Sequence, residues 1–225
     1  MLISLAEWSI NKPLFGGQMQ HLDFAKIAKG VGIDAIEYVN QFFKDKAKDT
    51  AYLEEMNTRA RGEGVTQVLI MCDGEGNLGD SDAAKRQTAV ENHGGLSSNA
   101  KWLVQTIRMA NHERAGTLPD FGNFRIAGPT KDNPDRKVES YDSYAGVAEM
   151  MPLARGVSVK PRVWDANGEE ADIDLLKMMK IVIDAGYRGH CGIEYGPEGK
   201  ELEGVKDLRV QLERVRDQLT STRKS

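Results

Sequence analysis

The chain has 225 residues, 28% charged and 40% hydrophobic, proportions that describe one globular domain spanning 1–225 rather than a disordered or fibrous chain. With 30 Lys and Arg against 34 Asp and Glu, the formal net charge is −4, so no basic excess exists for gripping a phosphate backbone and nucleic-acid binding is not expected. The longest uncharged runs, such as 65–72, fall far short of the roughly 20 apolar residues of a membrane helix, so no span is expected either.

Taken in chain order, β-type runs at 3–8, 35–40, 66–72, 116–121, 156–164 and 190–195 alternate with helical patterns. The helices are expected at 23–29, 50–61, 82–91, 99–110, 144–154, 173–185 and 202–219. Six strands alternating with seven helices signal βα units around a parallel sheet. Gly30, Gly64 and Gly186 stand where helices end, and Asp80, Asn99 and Asp172 stand where they begin. Leu175, Met178, Met179, Val182 and Ile183 recur at helical spacing and predict a core-facing stripe, as do Val205, Leu208, Leu212, Val215 and Leu219. The segment 128–137 carries Pro, Asn, Asp and Gly without periodicity and predicts a surface loop.

The alternation breaks once. Helix 82–91 runs through Asn92-His93-Gly94-Gly95-Leu96-Ser97-Ser98 into helix 99–110 with no strand between. An eight-unit barrel needs about 250 residues, roughly 30 per unit, so the chain is short by about one unit on length as well.

Polar residues gather at the C-terminal ends of the expected strands: Glu7, Glu37 and Asn40, then Cys72, Asp73 and Glu75, then Asp120 and Asn123, Ser158 and Lys160, and Glu194. In a βα barrel those ends converge on one mouth, where catalytic groups sit. Carboxylates meeting there suit a divalent metal, with one left to move a proton. Each has a structural alternative: a paired buried acid for Glu194, a turn or cap for Asp120, a cheap exposed acid for Glu37, and a stem reaching the rim for Lys160. His21, His112 and His190 read as structural or exposed. The string Gly74-Glu-Gly-Asn-Leu-Gly79 lacks the Lys-Ser/Thr ending of a phosphate loop. Cys72 and Cys191 form no Cys-X-X-Cys pair and suit a reducing compartment. The N-terminus has no signal-peptide pattern, which fits a cytoplasmic protein or the mature form of an exported one.

The strings Ile3-Ser-Leu-Ala-Glu-Trp-Ser9, Gly32-Ile-Asp-Ala-Ile-Glu-Tyr-Val-Asn-Gln-Phe-Phe43, Met71-Cys-Asp-Gly-Glu-Gly-Asn-Leu-Gly79, Glu91-Asn-His-Gly-Gly-Leu-Ser-Ser98, Thr117-Leu-Pro-Asp-Phe-Gly-Asn-Phe124 and Gly192-Ile-Glu-Tyr195 together resemble the xylose isomerase-like TIM-barrel superfamily, in its sugar phosphate isomerase/epimerase branch. The resemblance covers nearly the whole chain. It implies an α/β TIM barrel holding one divalent metal (Mn, Mg, Co or Zn) on Glu, Asp, His and Glu from the fifth to eighth strands. Carried over, these are Glu91, Asp120 and Glu194. The seventh-strand His is not present, and Ser158 or Lys160 stands there instead. Relatives carry Glu-Asn-His twice, whereas here Glu91-Asn92-His93 serves as both copies, so the resemblance implies an incomplete barrel with one to two βα units missing after residue 90.

The implied activity is metal-assisted isomerisation or epimerisation of a sugar or sugar phosphate through an enediolate. Glu91, Glu194 and Lys160 are the catalytic candidates, and Glu7, Glu37, Asn40 and Asn123 the substrate-binding ones. A lyase of the same superfamily, or a non-catalytic barrel remnant, are the alternatives. The missing units predict strands 66–72 and 116–121 either pairing directly or leaving an edge that a second copy covers. They also predict 91–98 as the bridging loop, with Glu91 away from Asp120 and Glu194. Lys160 is expected beside those two acids.

Overall fold

A computed structural model describes residues 1–72, 89–113, 115–163, 165, 170–197 and 199–221. The expectations placed on 73–88, namely Asp73, Glu75, the string 74–79, the cap at Asp80 and most of helix 82–91, lie outside the described residues, as does Trp164.

Buried parallel strands need apolar residues on both faces, and the runs at 35–39 and 157–159 are buried throughout, whereas 66–71 is partly or fully exposed along its length. Strands β1 (Leu2–Ala6), β2 (Ala35–Val39), β3 (Thr66–Met71), β8 (Val157–Val159) and β9 (His190–Ile193) form one parallel sheet in the order β3-β2-β1-β9-β8. Strand β4 (Ala89–Glu91) pairs in parallel with β5 (Gly116–Leu118). The two pieces join just past β5, where Asp120 bridges Ser158. There the Ser158 N–H donates to Pro119 O at 2.9 Å and the Phe121 N–H donates to Ser158 O at 3.1 Å. Among the described residues the parallel strands therefore run β3-β2-β1-β9-β8-β5-β4, the order of a βα barrel with one strand position unfilled between β3 and β4.

This arrangement corrects two expectations. Residues 89–91 are a strand, not the end of a helix, because Ala89, Val90 and Glu91 find register partners in Gly116, Thr117 and Leu118. Strand β5 does not pair with β3, since β4 and β8 already occupy its two sides. Among the described residues nothing pairs with the outer edge of β3, and Ile70 on it is half exposed.

The helices α1 (Asn11–Phe15), α2 (Phe24–Gly30), α3 (Thr50–Gly62), α4 (Ala100–Ala110), α5 (Ser143–Met150), α6 (Leu175–Asp184) and α7 (Glu201–Ser221) follow the strands. Asn99 caps α4 as expected, its Oδ1 accepting the Trp102 N–H. Helix α6 is capped by Asp174 rather than Asp172, through the Lys177 N–H at 2.9 Å. The stripe Leu175, Met178, Met179, Val182 is buried, and so are Val205, Leu208, Leu212 and Val215 of α7, while Ile183 lies half-buried beside them. Strands β6 (Arg125–Ala127) and β7 (Glu139–Ser140) form an antiparallel hairpin whose connection is the expected surface loop. No helix among the described residues is long and apolar enough to cross a membrane.

Candidate active site at the mouth of the sheet

Alternation along a strand points every second side chain inward, and the register lines those residues up in layers. Ser4, Gly192 and Ser158 are register partners across β1, β9 and β8, with Asp120 bridged to Ser158. One step further along the chain from Gly192, the period of two brings Glu194 to the same side.

The structure brings Glu91, Asp120 and Glu194 together: one carboxylate oxygen from each lies within 4.8 Å of the others, a spacing that can hold a metal ion. Glu91 is thus beside the other two acids, contrary to the expectation that it would lie apart. The reason is that β4 pairs with β5 and delivers its last residue to the mouth.

The three acids draw on a small, partly shared set of donors. Asp120, with no solvent exposure, accepts the Gly122 and Asn123 N–H groups on Oδ1, both at 2.8 Å, and the Ser158 hydroxyl on Oδ2 at 2.6 Å. Glu194 accepts the Lys160 ammonium at 2.5 Å and, more weakly, the Ser158 hydroxyl at 3.3 Å. Glu91 receives the Asn123 side-chain amide at 3.1 Å. Lys160 points into the mouth as expected, with about a fifth of its side chain exposed.

Burial, reinforced by Asp120 and Glu194, pushes Glu91 up to about 9, with Lys160 and Asn123 opposing. Burial and the nearby Glu194 push Asp120 up to about 7 against the pull of Lys160, Ser158 and the Gly122 amide. Burial works against the Lys160 ammonium, yet Glu194, Asp120 and Glu91 outweigh it and raise its pKa. Three carboxylates with one ammonium leave a local excess of two negative charges when all are ionised, and the shifts record the cost. An oxygen-only donor set with that excess fits a hard divalent cation.

The other sequence candidates stand in a second set. Glu7 is fully buried at the end of β1, accepting the Val39 N–H at 3.0 Å and pairing with His21 Nδ1 at 2.6 Å. Burial raises its pKa in spite of that partner. Glu37, 3% exposed rather than at the surface, accepts the Ser4 hydroxyl at 2.5 Å, and burial pushes it up to about 7. Gly192 makes room for it, since a Cβ there would come within 2.5 Å of the Glu37 carboxylate. Asn40 is buried at the end of β2, while Asn123 sits between Asp120 and Glu91. His21 is buried against Phe43 and Tyr52.

Two residues hydrogen-bonded to these acids are not singled out by the sequence. His21 was read as structural or exposed, and nothing in the chain spacing links it to Glu7. Asn92 is fully buried and bonded to the main chain around Asp120.

No family model and no curated protein matches the sequence. Solved structures do. A probable 3-DHS dehydratase involved in petrobactin synthesis from Bacillus anthracis is similar at 12% identity, covering 94% of this chain and 99% of that one, with a TM-score of 0.58. D-Psicose 3-epimerase from Clostridium cellulolyticum, solved with D-tagatose, is similar at 11% identity, with 95% and 98% covered and a TM-score of 0.52. A xylose isomerase domain protein from Alicyclobacillus acidocaldarius is similar at 14% identity, with 96% and 98% covered and a TM-score of 0.52. The chain spans only 66% of the length of a xylose isomerase domain protein from Planctomyces limnophilus.

Proposed function

Because the chain has the fold of the xylose isomerase-like TIM barrels, with one unit missing from the ring among its described residues, we propose that it is a divalent-metal-dependent isomerase or epimerase of a sugar or sugar derivative. One observation carries the proposal: Glu91, Asp120 and Glu194 converge within 4.8 Å, three carboxylates with a single ammonium, Lys160, beside them. Glu91, Asp120 and Glu194 would hold the cation, with Ser158 and Lys160 where relatives place an imidazole. When bound, such a cation supplies polarisation of a carbonyl and its neighbouring hydroxyl.

The chain's own residues then act on protons. Glu91 and Glu194 are the acid/base pair, one taking the proton from the carbon beside the carbonyl and the other returning it. Lys160, charged and held against Glu194, supplies positive charge to a developing oxyanion and keeps Glu194 in one orientation. Glu7, Glu37, Asn40 and Asn123 complete the polar wall that orients hydroxyls, and the D-psicose 3-epimerase of the same fold, solved with D-tagatose, gives the precedent for a ketosugar.

Incubation of the Mn²⁺-supplemented protein with ketosugars in deuterated water tests the proposal. Deuterium entering at the carbon beside the carbonyl, and absent with Glu194→Gln, is the expected result. An unsaturated product would replace isomerisation by elimination. No stoichiometric metal and no exchange with any ketosugar would make the chain a non-catalytic barrel.

A further inference from the structure

The ladder between β4 and β5 pairs Ala89 with Gly116, Val90 with Thr117 and Glu91 with Leu118, and there it ends. The residue after β5, Pro119, faces the other neighbour, its carbonyl accepting the Ser158 N–H, so the next backbone turned toward β4 is that of Asp120. Regular pairing therefore stops just before Asp120, where two acids on neighbouring strands must be held in register. Backbone groups released there would be costly while buried, since Asp120 has no solvent exposure.

The side chain of Asn92 takes over. Its Oδ1 accepts the Asp120 N–H at 2.7 Å, and its Nδ2 donates to Asp120 O and to Asn123 O, both at 3.0 Å. A carboxamide carries the same donor and acceptor as a peptide group, so Asn92 replaces the missing rung with a side-chain copy of one. It grips the main chain of Asp120 on both sides and adds the carbonyl of Asn123, whose own amide reaches Glu91. Asn92 itself follows Glu91 directly, so one side chain ties the backbone of the first acid to that of the second. Ser158 continues the chain of contacts from Asp120 to Glu194.

We propose that Asn92 is the positioning residue of this site, a carboxamide clamp that sets the spacing of Glu91 and Asp120 where the β4–β5 ladder ends. Its consequence for cation binding rests on the function proposed above, but its geometric content does not.

The test uses the full chain and Mn²⁺ alone as the probe. Asn92→Ala removes the clamp, and the expected result is a crystal structure in which the Glu91 and Asp120 carboxylates no longer meet within 4.8 Å. Mn²⁺ affinity by titration calorimetry should fall at least about tenfold, the range for residues that orient ligands. Thr117→Val is the control for stability alone, because it deletes another buried side-chain bond of β5, to Met150 O, away from the acids. It should keep Mn²⁺ affinity within about twofold at a comparable drop in Tm. Asn92→Asp decides the matter if the alanine variant does not fold. It keeps the acceptor for Asp120 N–H and loses both donations, while its added negative charge by itself favours a cation, so weaker Mn²⁺ binding there comes from lost geometry. An unmoved pair of acids in Asn92→Ala, or Mn²⁺ binding in Asn92→Asp as tight as in the unaltered chain, overturns the clamp. If the unaltered chain binds no Mn²⁺, the proposed metal function fails, and the clamp is still judged by the spacing of the acids in the Asn92→Ala structure.

Discussion

Two sets of buried carboxylates share the C-terminal end of the sheet, and the protein satisfies them in different ways. Glu7 and Glu37 each have a private partner, His21 and Ser4 respectively, with the Val39 amide adding to Glu7. Glu91, Asp120 and Glu194 instead crowd one another and share Ser158, Asn123 and a single ammonium, Lys160. Desolvation raises acids in both sets, with Glu194 adding a lesser push on Glu37, but in the trio repulsion between neighbouring carboxylates holds both Glu91 and Asp120 up. A buried acid with its own donor shapes a wall, whereas several acids with too few donors leave room for a cation.

The sharpest test of that contrast is metal binding. Glu194→Gln keeps the size of the side chain and removes its charge, so Mn²⁺ affinity should fall by about 100-fold or more, while Glu37→Gln should leave it within about threefold. Equal metal content in purified Glu194→Gln, measured by elemental analysis, would take Glu194 out of the site.

The next effect lies in stability without metal. Both Asp120, at about 7, and Glu91, at about 9, sit above their ordinary values. The fold favours their protonated forms, so the stability this provides is full below the ordinary carboxylate range and is lost as pH rises through 7 and then 9. Urea unfolding of the metal-free protein should therefore show stability falling across that window. Mn²⁺ at about 100 times its dissociation constant should restore about 2.7 kcal/mol at the alkaline end. A flat profile in the absence of metal would mean that the trio is not crowded in solution.

A comparable titration of one member of the other set should be smaller and should respond to metal only weakly, through the charge of Glu194. Glu37 rises from 4.5 to about 7, so its protonated form is favoured by about 3 kcal/mol, at about 1.4 kcal/mol per pH unit, and that stability disappears between pH 4.5 and 7. In Glu37→Gln, which cannot ionise, this part of the pH dependence should vanish whether or not Mn²⁺ is present. A metal dependence as large as that of the trio would merge the two sets into one.

The smallest expected effect concerns what seats Glu37 within its wall. Gly192→Ala would drive a Cβ into the Glu37 carboxylate, at 2.5 Å, and should cost about 1–3 kcal/mol of stability through overpacking. Thermal unfolding of Gly192→Ala and of Gly192→Ala combined with Glu37→Ala checks the mechanism, because removing the carboxylate should relieve the clash.

Strands β1, β2, β3, β8 and β9 and helices α3, α4, α6 and α7 were legible in the sequence because local periodicity and caps encode them, as Asn99 at α4 and the Leu175-Met178-Met179-Val182 stripe illustrate. The resemblance of the strings around Asp120 and Glu194 also placed those acids and Lys160 at one mouth. What local signals do not carry is pairing across the chain. Three residues, Ala89 to Glu91, are too few to reveal a strand by alternation, and they become one only because Gly116 to Leu118 offer a register. That pairing moved Glu91 from an expected loop into the acid trio. The same holds for His21 on Glu7 and for Asn92 on Asp120, partners 14 and 28 residues apart. Composition and spacing determined the kinds of elements and the chemistry available to them. The tertiary structure alone decided which acids meet, because hydrogen-bond registry between distant strands, not propensity within any one of them, sets the distances in a barrel mouth.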